Sequence, residues 1–353
     1  MRSPDPRRVH GGPIASELAA LGLAAADVID FSVNVNPYGP APAVAAAARA
    51  ADVSRYPDPR AEAVRAALAA RWRVDPDGVL FAHGAAELLW DLARHVARAG
   101  RRALVVEPAF SEFRVALAAA GVEAVEWRAD VEHGLSVDLD AVSERLARSG
   151  AGAAYLAAPT SPAGAPVPAA DVARLARAHP GVLLVLDESF LALSDRHADA
   201  DVPLPSNVAR VRSLTKEHAI PGLRLGYLLA DPGLVAALDA ARPAWSTSAP
   251  AQAAALATLA EERFVAESRA RLACDRDALR FGLARLGLEA LPSVAPYLVF
   301  HAGDAAALRR RLLARRVLVR DCASFGLPGL VRVAARPARD REVLLASLEK
   351  ELS

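Results

Sequence analysis

Of the 42 basic side chains in this 353-residue chain only two are lysine, at positions 216 and 350, which leaves 40 arginines. Arginine stays charged inside proteins, whereas a buried amine can lose its proton and then attack a carbonyl. A lysine kept at 216 in a chain that otherwise uses arginine points to Schiff-base chemistry with an aldehyde or ketone. Lys350 reads equally well as a surface residue. Lys216 lies in V-R-S-L-T-K-E-H-A-I-P-G-L-R-L-G-Y, Val211 to Tyr227, where Ser213, Gly222, Arg224 and Gly226 surround it with small residues and anion-binding groups.

Four other stretches carry residue types with chemical use. Asp187 ends the apolar run L-L-V-L-D, and a carboxylate at the end of a buried strand is costly unless it has a partner. That partner is a ligand, a helix N-terminus or a buried cation. His83-Gly84-Ala85-Ala86-Glu87 follows V-L-F-A and opens a helical pattern; small residues there let backbone N–H groups approach an anion, or simply allow close packing. Glu107-Pro108-Ala109-Phe110 follows another apolar run, with Phe110 either a core residue or a ring facing a ligand. Near the C-terminus, V-R-D-C-A-S-F-G-L-P-G-L-V-R-V-A-A-R, Val319 to Arg336, holds three arginines, a side chain whose planar donors can pair bidentately with carboxylate. Arg320 in the same stretch reads as a surface salt bridge.

The elements that must hold these residues follow from periodicity. Between residues 45 and 240 short apolar runs alternate with Ala/Leu-rich segments spaced i, i+3, i+4, such as Leu88, Leu89, Leu92 and Val96. The expected strands are Gly78–Phe81, Ala103–Glu107, Glu123–Trp127, Ala153–Ala158, Val182–Asp187, Ala209–Leu214 and Gly226–Ala230. Strands apolar at every position belong in a sheet covered on both faces. The pattern predicts an α/β fold with a mainly parallel seven-stranded sheet sandwiched by helices. Ligands of such sheets bind beyond the carboxyl ends of the strands, where the motif residues fall. Residues 1–44, rich in Gly, Pro and Asn, read as an irregular arm carrying H-G-G (His10 to Gly12) and D-F-S-V-N-V-N-P-Y-G (Asp30 to Gly39). There Asn36 and Gly39 read as a solvent loop or as functional residues with equal force. The expected division is an arm over 1–44, a large domain over 45–244 and a smaller α+β domain over 245–353. In the last, a helical stretch runs from Ala251 to Leu286, followed by Pro296–His301, a helix near Asp304–Arg315, and strands at Val317–Arg320 and Val331–Arg336.

Composition narrows the classes. Net charge is +1 with both signs interspersed, so no basic stripe points to nucleic acid. No apolar run reaches the ~18 residues of a membrane span. The N-terminus lacks the apolar core of a signal peptide, and two cysteines fit a reducing compartment, so a cytoplasmic location is expected. No metal site is expected.

The Lys216 stretch resembles the lysine segment of the fold-type I pyridoxal 5'-phosphate (PLP) enzymes, in which S-x-x-K is followed eight residues later by Arg. Within that group S-L-T-K-x-x-A-I-P-G-L-R-L-G-Y is most similar to the threonine-phosphate decarboxylases of cobalamin synthesis, with histidinol-phosphate aminotransferases as their nearest relatives. The resemblance implies that Lys216 binds the PLP aldehyde, Ser213 and Arg224 its phosphate, and Asp187 its pyridine nitrogen. It implies further that Gly84, Ala85 and Ala86 form the phosphate cup and that Phe110 stacks on the ring. By the same likeness Tyr56, in R-Y-P-D-P, reaches the phosphate of a neighbouring subunit, which implies a homodimer with shared sites. His10, Gly12 and Asn36 of the arm would line the substrate pocket, Arg332 would grip an α-carboxylate, and Arg336, with Arg320 a further candidate, a substrate phosphate. Three positions depart from the pattern, with His83, Ser161 and Ser248 where asparagine is usual, Ser161 being the one beside the PLP phenolate oxygen. Phe190 stands where aminotransferases often carry tyrosine. The reading that follows is decarboxylation of a small phosphorylated amino acid, L-threonine O-3-phosphate to aminopropanol phosphate. Transamination of the histidinol-phosphate type is the alternative, and a catalytically reduced binding protein on the same fold ranks below both.

Overall fold

The computed structural model of the chain describes residues 10–352. In chain order the strands are β1 (Ile29–Asp30), β2 (Val79–Ala82), β3 (Ala103–Glu107), β4 (Ala124–Arg128), β5 (Ala153–Ala157), β6 (Leu183–Asp187), β7 (Val208–Ser213), β8 (Gly226–Leu229), β9 (Tyr297–His301), β10 (Val317–Leu318), β11 (Arg320–Asp321) and β12 (Leu330–Ala334). β2 to β8 form one seven-stranded sheet in the order β2-β8-β7-β6-β5-β3-β4. Its strands from β3 to β7 are parallel, and β8 runs antiparallel to both β7 and β2. The lysine segment causes that reversal: it turns at the end of β7 and returns from the same end of the sheet.

β3 and β5 are buried at every position, as expected of strands covered on both faces. On one face Leu88, Leu89, Leu92 and Val96 of the helix Ala85–Arg98 pack with Phe113, Leu117 and Tyr155. On the other, Val142, Leu146, Val172 and Leu175 cover β3, β5 and β6. The edge strand β4 carries Glu126 and Arg128 and is only half-buried, which blunts an exposed edge.

β9, β11 and β12 form a separate antiparallel sheet, order β11-β12-β9. Its core joins Phe31 of the N-terminal segment to Leu279, Leu298, Phe300, Val331 and Leu344. β1 pairs in parallel with β10, so the N-terminal segment is stitched to the C-terminal part by backbone hydrogen bonds. We propose the same division into arm, large domain and small domain. The helix Ala249–Thr258 nevertheless shares a core with Val79, Phe81 and Tyr227 of the large sheet, through Ala251, Ala254 and Ala255.

The structure differs from the sequence expectation in three places. The arm is less irregular than its Gly and Pro content suggested, with a helix at Ala15–Ala20 and another starting at Pro42. The helical stretch expected from Ala251 to Leu286 is two helices, Ala249–Thr258 and Glu262–Arg285. The strand expected over Val317–Arg320 is two short strands, β10 serving the arm and β11 the three-stranded sheet.

Candidate active site

A cavity of about 410 Å³ opens beyond the carboxyl ends of the parallel strands. Lys216 reaches it from the helical turn Leu214–Glu217, which starts directly where β7 stops. Its Nζ sits 4.7 Å from the centre of the Phe190 ring. Loss of hydration lowers the amine's pKa below its ordinary value of 10.5; Asp187 opposes that shift, and Arg224 and Arg332 add to it. The side chain is half-buried by surface area yet enclosed by protein, since its open side faces the cavity rather than bulk water.

The turn carrying the lysine is held from the arm. The Asn36 backbone N–H donates to the Lys216 carbonyl at 3.0 Å, and Asn36 Nδ2 donates to the Glu217 carbonyl at 2.9 Å. Asn36 Oδ1 accepts from the Tyr38 N–H at 3.0 Å, so both ends of the amide bond to backbone. Asn36 is therefore a brace behind the lysine and does not line the cavity.

Asp187, at the end of β6, is 7% exposed and faces the cavity. Its Oδ2 accepts from the Tyr155 hydroxyl at 3.0 Å and its Oδ1 from the Ser189 N–H at 2.9 Å. Neither partner is a cation. The buried salt bridge belongs instead to the next residue, Glu188, which takes Arg210 and Arg212, each at 2.7 Å. The carboxylate of Asp187 is thus oriented by two hydrogen bonds and left available to a cationic group in the cavity, as a protonated ring nitrogen would be.

The opposite corner is an anion cradle. Gly84 precedes the helix Ala85–Arg98 with φ +85°, and a Cβ there would come 2.9 Å from Arg224 Nη2. A Cβ on Gly226 would stand 2.5 Å from the Ala85 backbone nitrogen. Two glycines therefore let the first turn of the helix, β8 and the Arg224 guanidinium converge. Ala85, Ala86, Ser213 and Arg224 line the cavity, and Ser213 Oγ lies 2.7 Å from Thr215 Oγ1. Helix-terminal N–H groups, two hydroxyls and an arginine suit a phosphate. Gly84 shapes this cradle from behind, without lining it.

At the other end are two buried arginines. Arg332 Nη2 donates to the Ser32 carbonyl at 2.8 Å and Nη1 to Ser161 Oγ at 3.4 Å, while its Nε has no partner among the described residues. Burial lowers its pKa. Arg320 is 6% exposed, donates to the His10 carbonyl at 3.1 Å and has its pKa lowered to about 10, first by burial and then by Arg332. Arg320 therefore lies buried in the cavity wall and not, as the sequence suggests, on the surface. His10 and Phe110 both face the cavity, with ring centres 5.4 Å apart.

Four further positions singled out in the sequence fall elsewhere. Gly12 donates to Ser32 Oγ, and it is Gly11 that lines the cavity. Arg336 pairs with Asp340 at 2.8 Å and with the Asp30 carbonyl, turned away from the pocket by its place just after β12. Tyr56 is 81% exposed, packed at a tilt against Trp245 and outside the cavity of its own chain. Ser248 caps the helix Ala249–Thr258, so its departure from asparagine bears on that cap. Sequence reasoning missed Thr215, Tyr155, Ser32, Glu112 and Phe325. Tyr155 could have been found as the one polar tip in the apolar run A-A-Y-L-A, and Thr215 as the second hydroxyl of S-L-T-K.

A cavity-lining lysine whose pKa is lowered by loss of hydration, opposite an aspartate without a cationic hydrogen-bond partner and beside a glycine-cleared anion cradle, defines a PLP enzyme of fold type I. The residues present suit that cofactor, since an amine, a carboxylate held only by a phenol and a backbone N–H, and an anion cradle line one cavity. The chain belongs to the aminotransferase class I and II family, whose model matches residues 26–350. It is 36% identical over 353 residues to a histidinol-phosphate aminotransferase of Symbiobacterium thermophilum, covering 96% of this chain and 95% of that relative. Among solved structures it resembles histidinol-phosphate aminotransferase from Sinorhizobium meliloti in complex with pyridoxal-5'-phosphate, with TM-score 0.86 at 28% identity over 99% of this chain and 97% of that one. It also resembles L-threonine-O-3-phosphate decarboxylase from Porphyromonas gingivalis, with TM-score 0.80 at 25% identity over 91% of this chain and 98% of that one. PLP is the cofactor that goes with this family.

Proposed function

We propose that the chain acts on the amino group of a small phosphorylated amino compound, and that its reaction is transamination of the histidinol-phosphate type. The observation that carries this reading is the 36% identity to a histidinol-phosphate aminotransferase along nearly the whole of both chains. It reverses the order of preference drawn from motifs alone, which put decarboxylation first.

The chain's own residues supply each requirement of that chemistry. PLP, when bound, supplies an electron sink for the α-carbon of the substrate. Asp187 would hold the ring nitrogen, Ser213, Thr215 and Arg224 the phosphate, and Phe110 one face of the ring. Lys216 would hold the aldehyde between turnovers, and once released its amine would be the base that takes the proton from the substrate α-carbon and delivers it to the cofactor side. Burial lowers the pKa of that amine, the direction a general base requires. Arg332 and Arg320 provide two buried cations for the anionic ends of an amino donor and an oxo-acid acceptor.

Decarboxylation of threonine phosphate remains a second reading because a particular residue favours it. Phe190 presents a bare ring to Lys216 where aminotransferases often have a tyrosine. The two reactions separate in one experiment with PLP-loaded protein and no oxo-acid acceptor. With histidinol phosphate, transamination predicts a single turnover that converts the cofactor to pyridoxamine phosphate, restored by 2-oxoglutarate. Sustained release of carbon dioxide from threonine phosphate, with the aldehyde spectrum retained, would overturn it in favour of the decarboxylase. A homodimer and a cytoplasmic location belong to the same proposal.

A further inference from the structure

His10 is held at three points, and one of them is a carboxylate with no other task in the site. His10 Nε2 lies 2.8 Å from Glu112 Oε1. The second oxygen, Glu112 Oε2, accepts from the Trp90 indole N–H at 2.8 Å. Trp90 belongs to the helix Ala85–Arg98, whose first turn forms the anion cradle, and Glu112 opens the helix Glu112–Ala119 two residues after Phe110. The carboxylate is therefore fixed from the large sheet's side and presents one oxygen to the arm. On the other side the His10 carbonyl accepts from Arg320 on β11, and the His10 ring leans on Phe110. One arm residue thus bridges the two walls of the cavity. The next residue seals the gap closely, since a Cβ on Gly11 would meet the Ser32 carbonyl oxygen at 2.5 Å.

We propose that Glu112 is a positioning residue: it seats His10 across the cavity between Phe110 and Arg320 and so sets how tightly the amino substrate is retained. The inference rests on the reading of this cavity as the amino-substrate site. Glu112 side-chain exposure is 13% against 44% for His10, so the acid is the fixed member and the histidine the seated one. Glu112 acts through His10, and the two side chains form one unit whose removal should not be additive.

The test is a double-mutant cycle on the PLP-loaded enzyme, with Glu112→Ala, His10→Ala and the double variant assayed on histidinol phosphate with 2-oxoglutarate. KM for histidinol phosphate should rise about tenfold in each single variant and by the same factor in the double, the size of one hydrogen bond to a charged partner. The cofactor absorbance should be unchanged, because Glu112 does not touch the cradle or Lys216. Glu112→Gln should recover most of the KM, since its carboxamide can accept from Trp90 and donate to a neutral His10 ring. Hydrogen exchange of the peptide containing His10 to Ile14 should be faster in Glu112→Ala than in the wild type and near normal in Glu112→Gln. KM factors that multiply in the double variant, or exchange unaltered in Glu112→Ala, would overturn the proposal. If the wild type turns over neither histidinol phosphate nor threonine phosphate, the functional reading fails and the exchange measurement alone decides whether Glu112 seats the arm.

Discussion

Asp187 and Glu188 are neighbours with opposite tasks, and the difference lies in their partners. Glu188 is consumed by two arginines, whereas Asp187 receives only a phenol and a backbone N–H. Asp187→Asn keeps the size and one hydrogen bond but removes the charge needed by a ring nitrogen. Turnover should fall by about a hundredfold or more, the scale of losing one charge-stabilising group, while PLP still binds through its phosphate. Steady-state rates beside a PLP titration check this, and an active Asp187→Asn would make the carboxylate structural. Lys216 makes a prediction about stability in the cofactor-free protein. Its folded pKa lies below the unfolded value of 10.5, so between the two the unfolded state binds more protons and stability rises with pH. Below the folded pKa the burial penalty is present in full. Lys216→Met, which carries no charge, should therefore melt higher than the cofactor-free wild type near neutral pH, with the gap closing as pH approaches 10.5. A gap that is constant with pH would show that the amine is not desolvated in the folded protein.

At the scale of elements, the site depends on how closely β8 can approach the helix Ala85–Arg98. Gly226→Ala would set a Cβ 2.5 Å from the Ala85 nitrogen and 2.7 Å from the Gly84 carbonyl carbon, both backbone atoms that cannot swing aside. It should cost about 1–3 kcal/mol of stability and weaken PLP binding through a widened cradle, measured by urea unfolding and cofactor titration. Wild-type stability and affinity in Gly226→Ala would mean that the approach is not tight. The seven strands of the large sheet could be read from sequence to within a residue or two, because unbroken apolar runs such as L-L-V-L-D allow no other placement. The reversal of β8 could not, since it follows from the shape of the lysine turn rather than from any hydrophobic pattern. Within the site, strand-end residues were readable because the carboxyl ends of parallel strands converge by topology. Asn36 and Gly12 fall outside the cavity lining because their neighbours, the Lys216 and Glu217 carbonyls and Ser32, are set by tertiary folding of the arm, and Arg336 because it pairs locally with Asp340, four residues on, and with the Asp30 carbonyl. Arg320 was misread as a surface residue because its burial comes from the arm closing over β11.

For the whole molecule, the unexplained feature is an exposed aromatic pair. Tyr56 and Trp245 are 81% and 49% exposed with ring centres 4.8 Å apart, and neither faces the cavity of its own chain. If this patch meets a second copy, sedimentation should give about twice the 37.0 kDa chain mass, and Trp245→Ala should shift the protein toward monomer. A wild-type monomer with full activity would remove Tyr56 from any shared site. Over the chain as a whole, everything proposed depends on one amine carrying the cofactor, and the scarcity of lysine makes that claim unusually open to test. Borohydride reduction of the PLP-loaded protein, followed by digestion and mass spectrometry, distinguishes two side-chain amines, Lys216 and Lys350. The account predicts a phosphopyridoxyl group on the peptide containing Lys216, and none on that containing Lys350; Lys216→Ala should yield no adduct. An adduct on Lys350, or a protein that binds PLP without any reducible link at Lys216, would contradict it.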